Sequence, residues 1–181
     1  MRSFYRSFWK RRKNGGLDRS EVETVSMATA LVIYDSVFGN TEKIARAVGE
    51  ALDARAVRVT AVEPGDLEGV GLLIVGSPTR VFSPTKETKA FLKSIPAGGL
   101  EGVGVAAFDT RMDVEETKSA VFTFFAWLFG YAADPIAKRL GKKGGRLLVR
   151  PEGFFVTGSE GPLRENELER AAGWAASLTR S

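Results

Sequence analysis

The segment Asp35-Ser36-Val37-Phe38-Gly39-Asn40-Thr41 leaves an apolar run and enters a stretch of helical period. Its residue types suit an anion. Gly39 lets the backbone turn tightly, the first free N–H groups of the helix point into the loop, and Ser36, Asn40 and Thr41 add side-chain donors around a phosphate. The segment lacks the Gly-x-x-x-x-Gly-Lys-Ser/Thr of nucleoside triphosphate loops and the Gly-x-Gly-x-x-Gly of dinucleotide loops, so a phosphomonoester fits it better. The alternative is that Ser36, Asn40 and Thr41 only cap the helix start.

Two further segments carry candidate groups. Gly76-Ser77-Pro78-Thr79-Arg80-Val81-Phe82-Ser83-Pro84 is small and rigid, with prolines fixing the backbone on both sides of an aromatic, and can present a flat wall. The alternative packs Phe82 under its own loop and leaves Arg80 in water. Phe108-Asp109-Thr110-Arg111-Met112-Asp113 brings polar groups, with Thr110 as a candidate side-chain partner. There the competing reading is that Asp109 caps or pairs locally with Arg111.

These segments need elements to bring them together. From residue 29 onward, short apolar runs alternate with helical periods, the pattern of a parallel sheet covered by helices. Ala30–Tyr34, Gly71–Val75, Val103–Phe108 and Leu147–Val149 are near-continuously apolar and read as central strands. Val57–Ala61 alternates and reads as an edge strand. Helical spacing links Ile44, Val48 and Leu52, then Phe91, Leu92 and Ile95, and finally Leu168, Ala171, Ala175 and Leu178. The expectation is a three-layer α/β sandwich on a five-stranded parallel sheet in the order 2-1-3-4-5, whose ligands sit beyond the carboxyl ends of strands one and three.

Ser36 to Thr41 followed by Glu42-Lys43-Ile44-Ala45 resembles the phosphate loop of flavodoxin-like proteins, which bind flavin mononucleotide (FMN). The resemblance runs from about Met27 to the end of the chain, apart from an aromatic stretch near residues 118–140. It implies that the loop from Ser36 through Val37, Phe38, Gly39 and Asn40 to Thr41 holds the FMN phosphate. It further implies that Pro78, Thr79, Arg80, Val81 and Phe82 cover one face of the isoalloxazine ring, and that Asp109, Thr110 and Arg111 meet its pyrimidine part. Phe38 stands where the family often has a threonine. Arg80 stands where many electron-transfer members have an aromatic, which is closer to flavodoxin-like quinone reductases. A guanidinium about 4 Å from a reduced, anionic flavin would stabilise it by about 4 kcal/mol at an effective dielectric of 20 and would favour two-electron chemistry.

Composition narrows the chemistry. The 181 residues include no cysteine and no histidine, which excludes disulfides, thiolate nucleophiles, Cys/His metal sites and a histidine base. The net charge of +4 is uneven, because residues 1–16 hold Arg2, Arg6, Lys10, Arg11, Arg12 and Lys13 with no acid, leaving −2 for the remainder. The excess belongs to a terminal tail, so nucleic-acid binding is not expected. Residues 1–26 read as a flexible tail, and its mixture of basic residues with Phe4, Tyr5, Phe8 and Trp9 also suits an anionic lipid surface. No secretory signal is evident, and a cytoplasmic, optionally membrane-peripheral, location is expected.

Between Ala120 and Ala133 lie Phe122, Phe124, Phe125, Trp127, Phe129 and Tyr131, with Pro135 and Gly130 read as bending or ending that helix. Phe122–Tyr131 is expected to meet a partner, a second copy or a membrane surface, against the alternative of a helix extending the core. The leading expectation is an FMN-binding carrier between a reductase and an acceptor. The alternatives are an NAD(P)H:quinone oxidoreductase of the same fold, with a quinone as partner, and a flavin-free interaction module.

Overall fold

A computed structural model of the chain describes residues 29–81, 83–112 and 131–179. The proposed tail, residue 82 and the aromatic stretch up to Gly130 lie outside the described residues. Five stretches of strand hydrogen-bond in the order β2-β1-β3-β4-β5, all parallel, and a sixth, β6, also pairs with β4. They are β1 (Thr29–Tyr34), β2 (Arg55–Arg58), β3 (Val70–Pro78), β4 (Gly104–Met112), β5 (Arg146–Leu147) and β6 (Glu152–Val156). The helices are α1 (Asn40–Ala51), α2 (Lys86–Ser94), α3 (Ala133–Lys142) and α4 (Glu167–Leu178).

The sheet divides two apolar layers. On one face Phe91, Leu92 and Ile95 of the α2 region and Ile136 and Leu140 of α3 meet Leu73, Val75 and Val105. On the other, Ile44 and Val48 of α1 and Ala171 and Ala175 of α4 meet Val32, Ile74 and Phe108. Runs buried on both faces belong to β1, β3 and β4, as continuous apolarity requires. Gly76 of β3 faces Phe108 of β4 in register, and a Cβ there would come within 2.1 Å of the Phe108 ring.

Some expectations about single segments need correction. Leu147–Val149 is no central strand. β5 is a two-residue edge strand, Leu147 is 43% exposed, and Leu148 and Val149 pack beside the α1/α4 layer. The expected order 2-1-3-4-5 is the one observed, and its outer position is shared, with β5 pairing the start of β4 and β6 pairing its end, so a sixth strand joins the sheet. The Val57–Ala61 strand stops at Arg58 and continues as a 3-10 turn over Val59–Ala61. Pro135 lies in the first turn of α3, where its missing N–H has no partner to lose, while the helix it is expected to bend or end falls on the aromatic stretch outside the described residues.

In α4, Leu168 is 42% exposed while Glu167 is buried, against the apolar spacing. Glu167 accepts the Phe155 N–H at 2.9 Å and pairs with Arg170 at 2.6 Å, and the Phe155 carbonyl accepts the Arg164 N–H at 3.0 Å. Both outward backbone groups of Phe155 in β6 are thus engaged.

Candidate functional site

The loop after β1 is held from below. The Asp35 N–H donates to the Gly76 carbonyl at 3.1 Å, and the Asp35 carboxylate accepts the Ser36 N–H at 2.9 Å. Arg58, at the end of β2 and opposite Tyr34 in register, lies 3.7 Å from that carboxylate and donates to the Ser36 carbonyl. Gly39 caps α1 at φ 84°, and a Cβ there would meet nothing within 4 Å, so the space beside the helix start is open. The left-handed backbone is what calls for glycine here. Ser36 is buried, and its Oγ has no hydrogen-bond partner among the described residues.

The second and third loops are tied to each other and to the first. The Thr79 N–H donates to the Thr110 carbonyl at 2.9 Å. The hydroxyls of Thr41 and Thr110 are 2.7 Å apart. Two hydroxyls bonded to each other use one proton between them, which leaves the second free to donate. Arg80 and Ser83 exchange backbone hydrogen bonds of 2.9 and 3.1 Å, closing a tight turn that places Val81 at φ 47° with 91% exposure. A β-branched residue in this region is strained by about 1–2 kcal/mol. Val81→Gly is therefore expected to stabilise the fold by up to about 1 kcal/mol, read as a higher urea midpoint at unchanged slope. The Arg80 guanidinium lies 5.6 Å from the centre of the Phe38 ring and joins the two loops over the cleft.

Asp109 is fully buried. It binds Arg111 through two bonds of 2.5 and 2.9 Å and accepts the Ala133 N–H at the start of α3 at 2.8 Å. Burial pushes its carboxyl pKa above the ordinary value, while Arg111, the Ala133 N–H and the Thr79 hydroxyl pull the other way. Gly153 opposes Asp109 in the β4–β6 register, and any Cβ there would collide with the Arg111 guanidinium. The far side of that guanidinium stacks on Tyr131 at 3.7 Å from the ring centre. The Ala132 N–H donates to the Thr79 hydroxyl at 2.9 Å.

Together the loops enclose a cleft of about 320 Å³ at the carboxyl ends of β1, β3 and β4. Val37, Phe38, Asn40 and Thr41 line it from the first loop, Pro78–Val81 from the second, and Thr110 and Arg111 from the third. Ser36 and Gly39 support the first loop without lining the cleft. Asp109 stands behind the wall as the partner of Arg111, as the local-pair reading has it. Phe82 is outside the described residues. Sequence reasoning missed Met112, Val156, Ser159 and Glu160, which complete the cleft. The signal for the last two is the turn Gly158–Gly161, whose Glu160 carbonyl accepts the Asn40 amide at 2.7 Å and whose Gly161, at φ 108°, lies too close to Asn40 for a Cβ.

The sequence profile of the flavodoxin family matches residues 32–174, a span that includes all four walls of this cleft. The chain belongs to the flavodoxin family. Among solved structures, oxidised flavodoxin 1 from Bacillus cereus superposes with a TM-score of 0.63 at 17% identity, covering 84% of this chain and 97% of that one. A WrbA-like flavodoxin protein from Agrobacterium tumefaciens gives 0.65 at 20% identity, with 84% and 96% covered. Rubredoxin oxygen:oxidoreductase from the anaerobe Desulfovibrio gigas gives 0.64 at 20% identity, and there the likeness covers 84% of this chain but only 35% of the other. At these identities the structures show the shared fold. No curated protein matches the sequence.

The residues of this flavodoxin-family chain fit a phosphate-bearing flavin. A buried hydroxyl without a partner costs about 1–3 kcal/mol, which a phosphate oxygen would relieve. The open backbone at Gly39 lies at the N-terminus of α1, whose first N–H groups suit an anion. Among the described residues no cluster of acidic side chains could hold a metal ion, and no helix is long and apolar enough to cross a membrane.

Proposed function

We infer that the chain binds FMN in this cleft and carries electrons between a reductase and an acceptor. The observation that carries the reading is the unpartnered Ser36 hydroxyl under a glycine-turned loop at a helix N-terminus. Bound FMN supplies reversible electron uptake and release. The protein's part is to hold and orient. Ser36, Thr41 and the amides around Gly39 would take the phosphate, while Pro78–Val81 and Thr110–Arg111 would flank the ring. Arg80 and Arg111 place two cations at the cleft wall, the second partly neutralised by Asp109. Arg80 also favours a second reading, an NAD(P)H:quinone oxidoreductase, whose mark would be bleaching of bound flavin by NADH.

The test is an FMN titration of the purified protein followed by flavin fluorescence. Saturable, tight quenching and a visible flavin spectrum are expected. A colourless protein that leaves FMN fluorescence unchanged would overturn the reading in favour of a flavin-free interaction module.

Arg58 offers a finer check. Its guanidinium offsets the Asp35 carboxylate directly beneath the loop, so Arg58→Gln leaves a bare negative charge close to the phosphate. FMN binding should weaken about fivefold, in line with a partly screened charge pair worth about 1 kcal/mol, and riboflavin binding should stay unchanged. Adding Asp35→Asn should restore most of the loss.

A further inference from the structure

The two helical layers differ in charge. On one side α1 and α4 carry Lys43, Arg46 and Arg170 against Glu42, Glu50, Glu167 and Glu169. Arg46 and Arg170 pair with carboxylates there, and Lys43 does not. On the other side α2 and α3 carry Lys86, Lys89, Lys93, Lys138, Arg139 and Lys142 against only Glu87 and Asp134. All six cations are exposed, and among the described residues none of them forms an ion pair.

Their placement leads to the cleft. Lys86, Lys89 and Lys93 stand at i, i+3 and i+7 and share one side of α2, opposite buried Thr88, Phe91 and Leu92. The helix starts at the carboxyl end of β3, where the Thr85 N–H donates to the Ser77 hydroxyl at 3.0 Å, two residues past the Arg80–Ser83 turn. The lysine stripe therefore begins near the rim and extends about 10 Å down the molecule. The rim itself is apolar. Val37, Phe38 and Val81 are 51%, 46% and 91% exposed, and all three line the cleft. Arg80 stands between Val81 and the Phe38 ring. An apolar centre with a charged border has the composition of a protein-docking patch.

We propose that an acidic protein docks at the cleft mouth, with its apolar contact on Val37, Phe38 and Val81 and its carboxylates along Lys86, Lys89 and Lys93. The choice of a protein rests on the carrier reading above, since the partner must bring a redox centre to the cleft, which neither a nucleic acid nor a lipid surface supplies. Border lysines speed the encounter with an oppositely charged surface. Lys138, Arg139 and Lys142 on the neighbouring α3 add to the steering field. Docking also gives Val81 a use, because a side chain held at φ 47° and so exposed packs little within its own fold.

The test is fluorescence anisotropy of a dye-labelled plant-type ferredoxin, an acidic redox protein, titrated with the full chain at low and at high salt, with and without FMN. Saturable binding at low salt, lost at high salt, is expected. Labelled cytochrome c, which is basic, should not bind. Lys86→Gln/Lys89→Gln/Lys93→Gln should weaken ferredoxin binding about tenfold, at about two- to threefold per exposed charge, while FMN affinity and the unfolding midpoint stay unchanged. Val81→Gly, which relaxes the turn, should weaken it as well. Equal binding of the triple variant and the native chain would overturn the proposal, and so would absence of ferredoxin binding. Ferredoxin bound by a chain that ignores FMN would sink the carrier reading and keep the docking surface, and FMN bound by a chain that ignores ferredoxin would do the reverse. Tighter binding of a DNA duplex, weakened by the same triple variant, would overturn the proposal in favour of a nucleic-acid surface.

Discussion

Replacing Asp109 by alanine should lower the unfolding free energy by about 4 kcal/mol, the cost of stranding one partner of a buried ion pair. Among the described residues the carboxylate alone holds both teeth of the Arg111 guanidinium, and it also receives the first N–H of α3. Without it, Arg111 keeps Tyr131 on one side and the narrow slot over Gly153 on the other, with no other countercharge among the described residues. Chemical denaturation at equal slope measures the loss, and a change under 1 kcal/mol would mean that the pair does not hold the third wall. The pH dependence has a definite sign. Burial, opposed by Arg111, the Ala133 N–H and Thr79, raises the Asp109 pKa, so above about 3.9 the native state keeps a proton that the unfolded chain has released. Stability from this group therefore falls as pH rises through that window. Asp109→Asn cannot titrate, so the native-minus-variant difference should decline from about pH 4 upward and then level off.

Ser36→Ala should weaken FMN binding about 30-fold, matching about 2 kcal/mol for a hydrogen bond to a charged group. Riboflavin, which lacks the phosphate, should bind both proteins alike. The apo variant should also unfold later than the native apo protein, because the change deletes a buried hydroxyl that has no partner. Opposite signs in the two measurements separate a ligand-facing group from a packing residue. A variant with weaker FMN binding and lower apo stability would point to a structural role for Ser36.

The glycine turn into α1 and the strand order were legible because both depend on local rules. A buried parallel strand must be apolar on both faces, and Gly39 stands where the loop turns into α1 at positive φ. Leu147–Val149 misled because apolarity does not report partners. β4 offers β5 only Gly104 and Val105, and the run that follows turns its leucine and valine onto the α1/α4 layer. Leu168 and Glu167 exchanged expected places because a buried carboxylate can be satisfied by a strand N–H and an arginine, contacts no periodicity encodes. The Arg111 stack on Tyr131 and the contribution of Ser159 and Glu160 join segments remote in sequence. Only the glycines at 153 and 161, kept small by close approach, hinted at them.

An unpaired strand at the rim of a sheet is an invitation to a neighbouring molecule, since its free N–H and C=O groups can template another strand. At Phe155 both groups are taken, the N–H by Glu167 and the carbonyl by Arg164. A carboxylate and a turn amide thus occupy the rim as a second strand would, without offering a further ladder. Growth of the sheet from molecule to molecule, the route to fibrils in crowded solution, is blocked along β6 by its own chain.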